Sequence, residues 1–308
     1  MDKAATTETT PPLSRKDRFF LALLRFFSRR SLRSLQLLGF AIGWLAAMLK
    51  IGSAYRVVKR NLELCFPEQS PEWIEQTTRA NLMDTAPSAL EFAKTWGMPP
   101  AYSISQIKQV HGAEVFFEAI NSGRGTIGLI PHFGTWEFMN AWTGQHTPPT
   151  IMYKPGKDAG VNAFVLEARS RLNSVLVPAD ERGVKGLLVA LRKNAFIAVL
   201  PDHVPKDNGG IFAPYFGIST WTGVIVPRLI QRTKCAVILM YCIRRPHGDG
   251  FDMYFERPDP EIFSDDLLTA TTAMNRTQEN MIRRFPTHYH WFYKRFRKNE
   301  TLADPYKR

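Results

Sequence analysis

Residues 126–137 read TIGLIPHFGTWE, and this stretch decides the fold. The first six residues are an uncharged run of strand length, and His132 follows directly at the carboxyl end. Gly134 permits a tight turn, and Thr135 can cap a helix that begins at Trp136. Open parallel sheets bind ligands outside the carboxyl ends of their strands, which is where this histidine falls.

Working outward, the same succession repeats. Further short apolar runs at 104–110, 150–153, 174–177, 195–201, 236–243 and 251–256 read as strands. Between them, 113–121, 135–144, 160–172, 182–193 and 221–232 read as helices, with another at 265–284. Upstream lie helices at 53–64 and 71–95, the second announced by Ser70-Pro71-Glu72. Strands alternating with helices predict an α/β fold with a largely parallel sheet flanked by helices. The turn at 246–250 joins the last two strands as an antiparallel hairpin, so the sheet is mixed.

With 308 residues, the chain has room for one large α/β domain or two smaller ones. Its net charge of +12 sits at the ends: residues 1–60 carry 12 Lys and Arg against 3 Asp and Glu, and 283–308 carry 8 against 2. The middle is therefore slightly acidic. Basic ends suit an anionic membrane surface or another polyanion, or form a merely solvated face. No aromatic RNA-binding strand or other nucleic-acid motif accompanies them, so nucleic acid is not expected as a partner. Cys65, Cys235 and Cys242 lack metal-ligand or redox spacing, which points to buried thiols in a reducing compartment, with neither metal nor disulfide.

Residues 34–49, SLQLLGFAIGWLAAML, carry no charge, but 16 residues fall short of the roughly 20 of a full span. The run before it, FFLALLRFF at 19–27, is apolar but is followed by Arg29, Arg30 and Arg33. Two membrane readings stand. One is a short spanning helix with snorkelling Arg and Lys ends; the other is an interfacial hairpin in one leaflet. A buried core helix is the third reading, but it has no need of cations on both flanks. The expected division is a flexible N-terminus at 1–18, a membrane-anchoring segment at 19–52 and a catalytic domain at 53–308.

His132 and Glu137 stand at a loop-to-helix junction, where a turn can fold the imidazole back towards the carboxylate. A carboxylate on one ring nitrogen fixes the tautomer of a general base and stabilises its charged form. The same spacing also describes a His capping a helix and a Glu favoured by the helix dipole. Spacing alone leaves both readings open.

Further blocks decide between them. RNLELCFPE at 60–68 resembles the signature of the bacterial lipid A late (secondary) acyltransferases, and HFGTWE resembles their His-x4-Asp/Glu block in its Glu form. MYKP at 152–155, LPDH at 200–203, FAPYFG at 212–217 and HWFYKRF at 290–296 follow in the family's order. The resemblance implies a glycerolipid-acyltransferase-like fold in the bacterial inner membrane, with its catalytic domain in the cytoplasm. It implies transfer of a lauroyl or myristoyl chain from acyl carrier protein to a hydroxyacyl chain of a lipid A precursor. His132 would be the base and Glu137 its orienting partner, with no covalent acyl-enzyme, cofactor or metal.

The same resemblance puts Arg169 near the reacting centre or an anionic head group, and the strand ending at 200–203 opens Asp202 and His203 onto the same rim as His132. Lys154 joins them as a substrate-binding candidate. Trp136, with Phe138, Met139 and Trp142, would line the acyl channel. Lys294, Arg295, Arg297 and Lys298 would form a patch for phosphates or the acidic carrier, and backbone N–H groups near Gly134 or a nearby cation would hold the oxyanion. A thioesterase or lipid hydrolase using water at the same site is the alternative.

Overall fold

A computed structural model describes residues 14–50, 52–156, 158–206 and 208–307. In chain order the helical N-terminal part comprises α1 (Arg15–Ser28), α2 (Leu32–Met48), α3 (Gly52–Cys65), α4 (Pro71–Gly97) and α5 (Pro100–Gln106). The sheet region follows as β1 (Ile107–His111), α6 (Ala113–Ile120), β2 (Thr126–Leu129), α7 (Glu137–His146), β3 (Pro149–Tyr153), α8 (Ala159–Ser170), β4 (Val175–Pro178), α9 (Glu181–Arg192) and β5 (Phe196–Val199). The remainder is β6 (Gly210–Tyr215), β7 (Ile218–Gly223), α10 (Ile225–Thr233), β8 (Ala236–Arg244), β9 (Phe251–Glu256) and α11 (Leu267–Arg284).

Seven strands form one sheet in the order β1-β9-β8-β2-β5-β3-β4. From β8 to β4 every pairing is parallel, and β9 runs antiparallel to β8. The mixed, largely parallel sheet flanked by helices is thus the observed architecture. Its central strands are buried on both faces, as a helix-covered sheet requires. Alternate residues serve opposite cores. Ile127, Leu129, Ile197, Val199, Val237 and Leu239 pack on one side, and Phe196, Ala198, Ile238 and Met240 on the other.

Three local differences from the sequence expectations have physical reasons. Residues 104–106 belong to α5, which Pro99 and Pro100 start, so the strand begins only at Ile107. β6 and β7 pair as a separate antiparallel hairpin, where no strands were expected. Its two-residue turn, Phe216-Gly217, has left-handed φ at both positions (49° and 76°). A bulky residue at positive φ is an unusual hairpin signal. The helix expected from 221 consequently starts only at Ile225.

The anchoring segment also differs from a spanning helix. Among the described residues no single helix is long and apolar enough to cross a membrane, and α1 and α2 are bent by 117° at their junction. α2 is covered along one side by α4. Gly39 and Gly43, one turn apart, face the backbone of Pro87 and of Leu82 and Met83 so closely that a Cβ would collide. The other side exposes Leu37, Leu38, Ile42, Trp44, Leu45 and Met48, and α1 exposes Phe19, Leu23 and Phe26. Of the N-terminus expected to be flexible, residues 1–13 lie outside the described residues, and from Arg15 onward the chain is helical.

A buried ionic cluster joins this helical layer to the sheet. Glu91 on α4 is fully buried, and its carboxylate accepts from Gln36 of α2 (2.8 Å), the Thr135 hydroxyl (2.5 Å) and Arg244 at the end of β8 (2.6 and 2.7 Å). Burial raises its pKa, but the Arg244 charge and these donors outweigh burial and hold it below the ordinary carboxylate value. Removing one partner of such a cluster strands the other charge without water. Glu91→Ala is therefore expected to lower the unfolding free energy by about 3–5 kcal/mol. Urea denaturation checks this; a loss below about 1 kcal/mol would show that water or relaxation satisfies Arg244.

Candidate active site

β2 and β5 are adjacent and parallel, with Leu129 opposite Val199. The pairing continues through the Ile130 N–H, which donates to the Val199 carbonyl at 2.9 Å. Three residues beyond each registered position come His132 and Asp202, so strand register alone brings the two side by side. The His132 ring donates through Nδ1 to Asp202 Oδ1 at 2.8 Å, and its backbone N–H donates to Oδ2 at 3.1 Å. Tyr289 donates its hydroxyl to Oδ2 at 3.0 Å. Asp202 is 2% exposed. Burial opposes its charge, but the His132 charge and hydrogen bonds overcome it, so its pKa lies well below the usual range. An ionised Asp202 places the proton on Nδ1 and leaves Nε2 as a proton acceptor.

The turn after His132 is locked from below. Gly134 has φ +55°, and a Cβ there would run into the Cys242 carbonyl. Its N–H donates to the His288 carbonyl at 2.8 Å, and the Thr135 N–H reaches the Cys242 carbonyl at 3.3 Å. The His290 N–H donates to the His132 carbonyl at 3.0 Å, while His290 Nε2 donates to the Gly134 carbonyl at 3.2 Å. The C-terminal segment thus clamps this turn on both sides of Phe133.

An aromatic stack completes the site. The His132 and His203 rings are parallel at 3.8 Å, and Tyr293 stacks on the far face of His203 at 4.0 Å. The Tyr293 hydroxyl accepts the Val204 N–H at 2.9 Å, which fixes the loop after Asp202. Trp136 meets His132 edge to face at 5.2 Å. Burial first, then repulsion from a charged His132, pushes the pKa of His203 down to about 4. The same two causes push His290 down to about 3.

Glu137 does not occupy the place expected for it. Its carboxylate accepts from Asn140 at 2.9 Å and from Arg169 Nη2 at 2.5 Å, and the imidazole's carboxylate partner is Asp202. The reason is helical geometry: Glu137 opens α7 and turns its side chain towards α8, where Arg169 stands. A buried carboxylate there needs a cation, and Arg169 supplies it. The second Arg169 amino group, Nη1, is buried with no hydrogen-bond partner among the described residues. His132, Trp136, Asp202 and His203 are brought together; Glu137 and Arg169 form a neighbouring pair. Lys154 lies exposed just past the end of β3 and makes no contact with this group among the described residues.

Other expectations are redistributed. Phe138 and Met139 are fully packed core, Phe138 stacking on Phe251 at 4.2 Å, and Trp142 packs on Phe116 and Phe255. Arg295 leaves the basic patch: it is 2% exposed and donates to the Trp221 carbonyl and the Thr222 hydroxyl, both at 2.8 Å. The Gly134 N–H is already engaged. The three thiols are all buried, and burial raises each of their pKa values. Tyr289 and Asp202's role as the partner of His132 were not read from the sequence, and His290 and Tyr293 were quoted only as part of the 290–296 block, without a role. The available signal was the repeated ending Pro131-His132 and Pro201-Asp202 on two apolar runs.

The two depressed histidines set a pH dependence. The unfolded chain takes up these protons near pH 6.5, whereas the folded chain refuses them until about pH 4 and 3. Stability is therefore full above about pH 7 and declines as pH falls from there towards about 4. Urea midpoints at about pH 7.5 and 4.5 measure this; a midpoint unchanged or higher at the acid end would contradict it.

The chain matches the family model described as bacterial lipid A biosynthesis acyltransferase over residues 18–298. It is 27% identical over 261 residues to a lipid A biosynthesis lauroyltransferase of Escherichia coli K12, covering 84% of each chain. A lipid A biosynthesis palmitoleoyltransferase of the same organism is 25% identical over 244 residues, 78% of each chain. A phosphatidylinositol mannoside acyltransferase of Mycolicibacterium smegmatis is 22% identical over 178 residues, 56% of this chain and 57% of that one. With nearly its whole length matched, this chain belongs to the family of bacterial lipid A biosynthesis acyltransferases.

Proposed function

We propose that the protein is a late acyltransferase of lipid A biosynthesis, moving a fatty acyl chain from acyl carrier protein to a hydroxyl on an acyl chain of a lipid A precursor. His132 Nε2 takes the proton of that hydroxyl as its oxygen attacks the thioester carbonyl. The tetrahedral intermediate collapses, the carbon–sulfur bond breaks, and the proton on His132 passes to the departing thiolate. The new ester and a free thiol account for every atom, and no acyl-enzyme is needed. What carries this reading is the 2.8 Å hydrogen bond from His132 Nδ1 to Asp202, in a chain that belongs to this family.

Asp202 orients the imidazole and stabilises its charged form, and Tyr289 holds Asp202. Glu137 and Arg169 keep the start of α7 in place beside the base. The first N–H groups of α7, at Trp136 and Glu137, have no helical acceptor and are suited to the oxyanion. Lauroyl and myristoyl chains are the proposed donors, and two relatives carry lauroyl and palmitoleoyl in their names.

The proposed location is the bacterial inner membrane, with the sheet on the cytoplasmic side. One flank of α2 is taken up by α4, and the other flank, with α1, offers Phe19, Phe26, Ile42, Trp44 and Leu45. Arg30 lies over the Phe26 ring at 4.2 Å, and Arg25 and Arg29 line the same hollow. Such a bent pair suits burial in one leaflet better than spanning.

Transfer from a lauroyl or myristoyl carrier protein is the test. His132→Ala and Asp202→Asn are expected to lose roughly 10²–10⁴-fold in rate with the fold intact. Arg169→Ala and Glu137→Ala are expected to lose transfer together with stability, because each strands a buried charge. Near-normal transfer by Asp202→Asn would remove Asp202 from the mechanism. Thioester loss without transfer to any lipid acceptor would instead identify a hydrolase. For the anchor, Ile42→Glu with Leu45→Glu is expected to move the protein from membranes into the soluble fraction; unchanged retention would assign attachment to another surface.

A further inference from the structure

The two basic ends of the sequence meet at one place. α3 and the C-terminal residues 302–307 enclose an open cleft of about 600 Å³, about 240 residues apart along the chain. Arg56, Lys59 and Arg60 line it from α3, and Lys294 and Lys307 from the C-terminal side. Two acids also line it, and both are engaged: Glu63 pairs with Arg60 at 3.3 Å, and Asp304 accepts the Tyr306 N–H at 3.0 Å. Arg56 and Lys307 are exposed and have no ion pair or side-chain hydrogen bond among the described residues.

The walls of this cleft are built rather than incidental. The Tyr306 hydroxyl donates to Asn61 Oδ1 at 2.5 Å and accepts the Phe296 N–H at 3.1 Å. Arg60 Nε donates to the Pro305 carbonyl at 3.1 Å. Asn61 Nδ2 donates to the Trp291 and Tyr293 carbonyls at 2.6 and 2.9 Å. Tyr293 is the residue whose ring stacks on His203, so Asn61 links the cleft residue Tyr306 to that stack.

The position indicates the source of the anion. α2 ends at Met48, and Lys50 Nζ lies over the ring of Tyr55, another cleft residue, at 5.5 Å. Exposed Leu45 and Met48 stand in the last turn of α2 and exposed Leu49 caps it, a few residues before α3, the helix that lines the cationic cleft. Apolar surface ending at converging cations matches an amphiphile with a phosphate head, not a soluble ion or an acidic protein.

We propose that this cleft is a binding site for the phosphate head group of a lipid, with the lipid's chains lying along α2. Arg56 and Lys307 contact the phosphate, and Lys59, Arg60 and Lys294 supply the surrounding field. The proposal goes beyond the acyl-transfer reading and needs no turnover to test, so the two fail separately.

Calorimetric titration of the detergent-solubilised full chain with dihexanoyl phosphatidic acid tests it, with inorganic phosphate as the second probe. One saturable lipid site is expected. Arg56→Gln with Lys307→Gln should weaken it about tenfold to thirtyfold. Lys185→Gln with Lys193→Gln, the same charge change on α9, should leave it unaltered, and thermal melting should be the same for all three proteins. Equal weakening by both double variants would reduce the effect to diffuse charge and overturn the site. Equally tight binding of inorganic phosphate would overturn the lipid source, and absence of saturation would overturn both.

Discussion

The buried carboxylate of Glu91 is the point on which the rest of the structure hangs. Four donors from separate parts of the chain converge on it: Gln36, Thr135 and two nitrogens of Arg244. A charge with no access to water tolerates no vacancy in that set, so α2, α4, the catalytic turn and the end of β8 are fixed relative to one another. It also explains a polar Gln36 buried on an otherwise apolar helix. Helices that would otherwise rest on the sheet through side-chain packing alone are registered to the residue three positions after His132.

Above that anchor, the site is assembled by strand register and by the C-terminal segment. Neighbouring parallel strands advance in step, so side chains equally far beyond a registered pair must be adjacent. This brings His132 and Asp202, each three residues past a registered pair, side by side. The segment 288–293 then closes over the turn, adding Tyr289 to Asp202 and Tyr293 to the ring stack. His132 and Asp202 follow closely on two central strands, while the last part of the chain covers them. A base held this way needs little reorganisation when it accepts a proton.

The charge distribution takes on meaning only in three dimensions. Arg295, in the middle of a basic run, is a buried bracket for β7, whereas Lys294 beside it faces solvent. Residues near 56 and near 307, far apart in sequence, line one cleft at the foot of the exposed apolar helix. The exposed apolar end of α2 precedes by only a few residues the helix that lines the cationic cleft, an order that suits an amphiphilic ligand.

Much was legible from the sequence alone. Periodicity gave the sheet strands and most helices within a few residues, because a doubly covered strand and an amphipathic helix must each follow their own repeat. The motif blocks identified the family, and His132 was recognised by its place at a strand's carboxyl end. The β6–β7 hairpin was not legible, since its turn uses a Phe in a left-handed conformation that tertiary packing enforces. Nor was the partner of His132. Proximity in sequence favoured Glu137, five residues away, whereas the hydrogen bond is made by Asp202, seventy residues away. Local pattern fixes which elements form and which face they bury; only the order and register of the strands decide which side chains from distant segments touch.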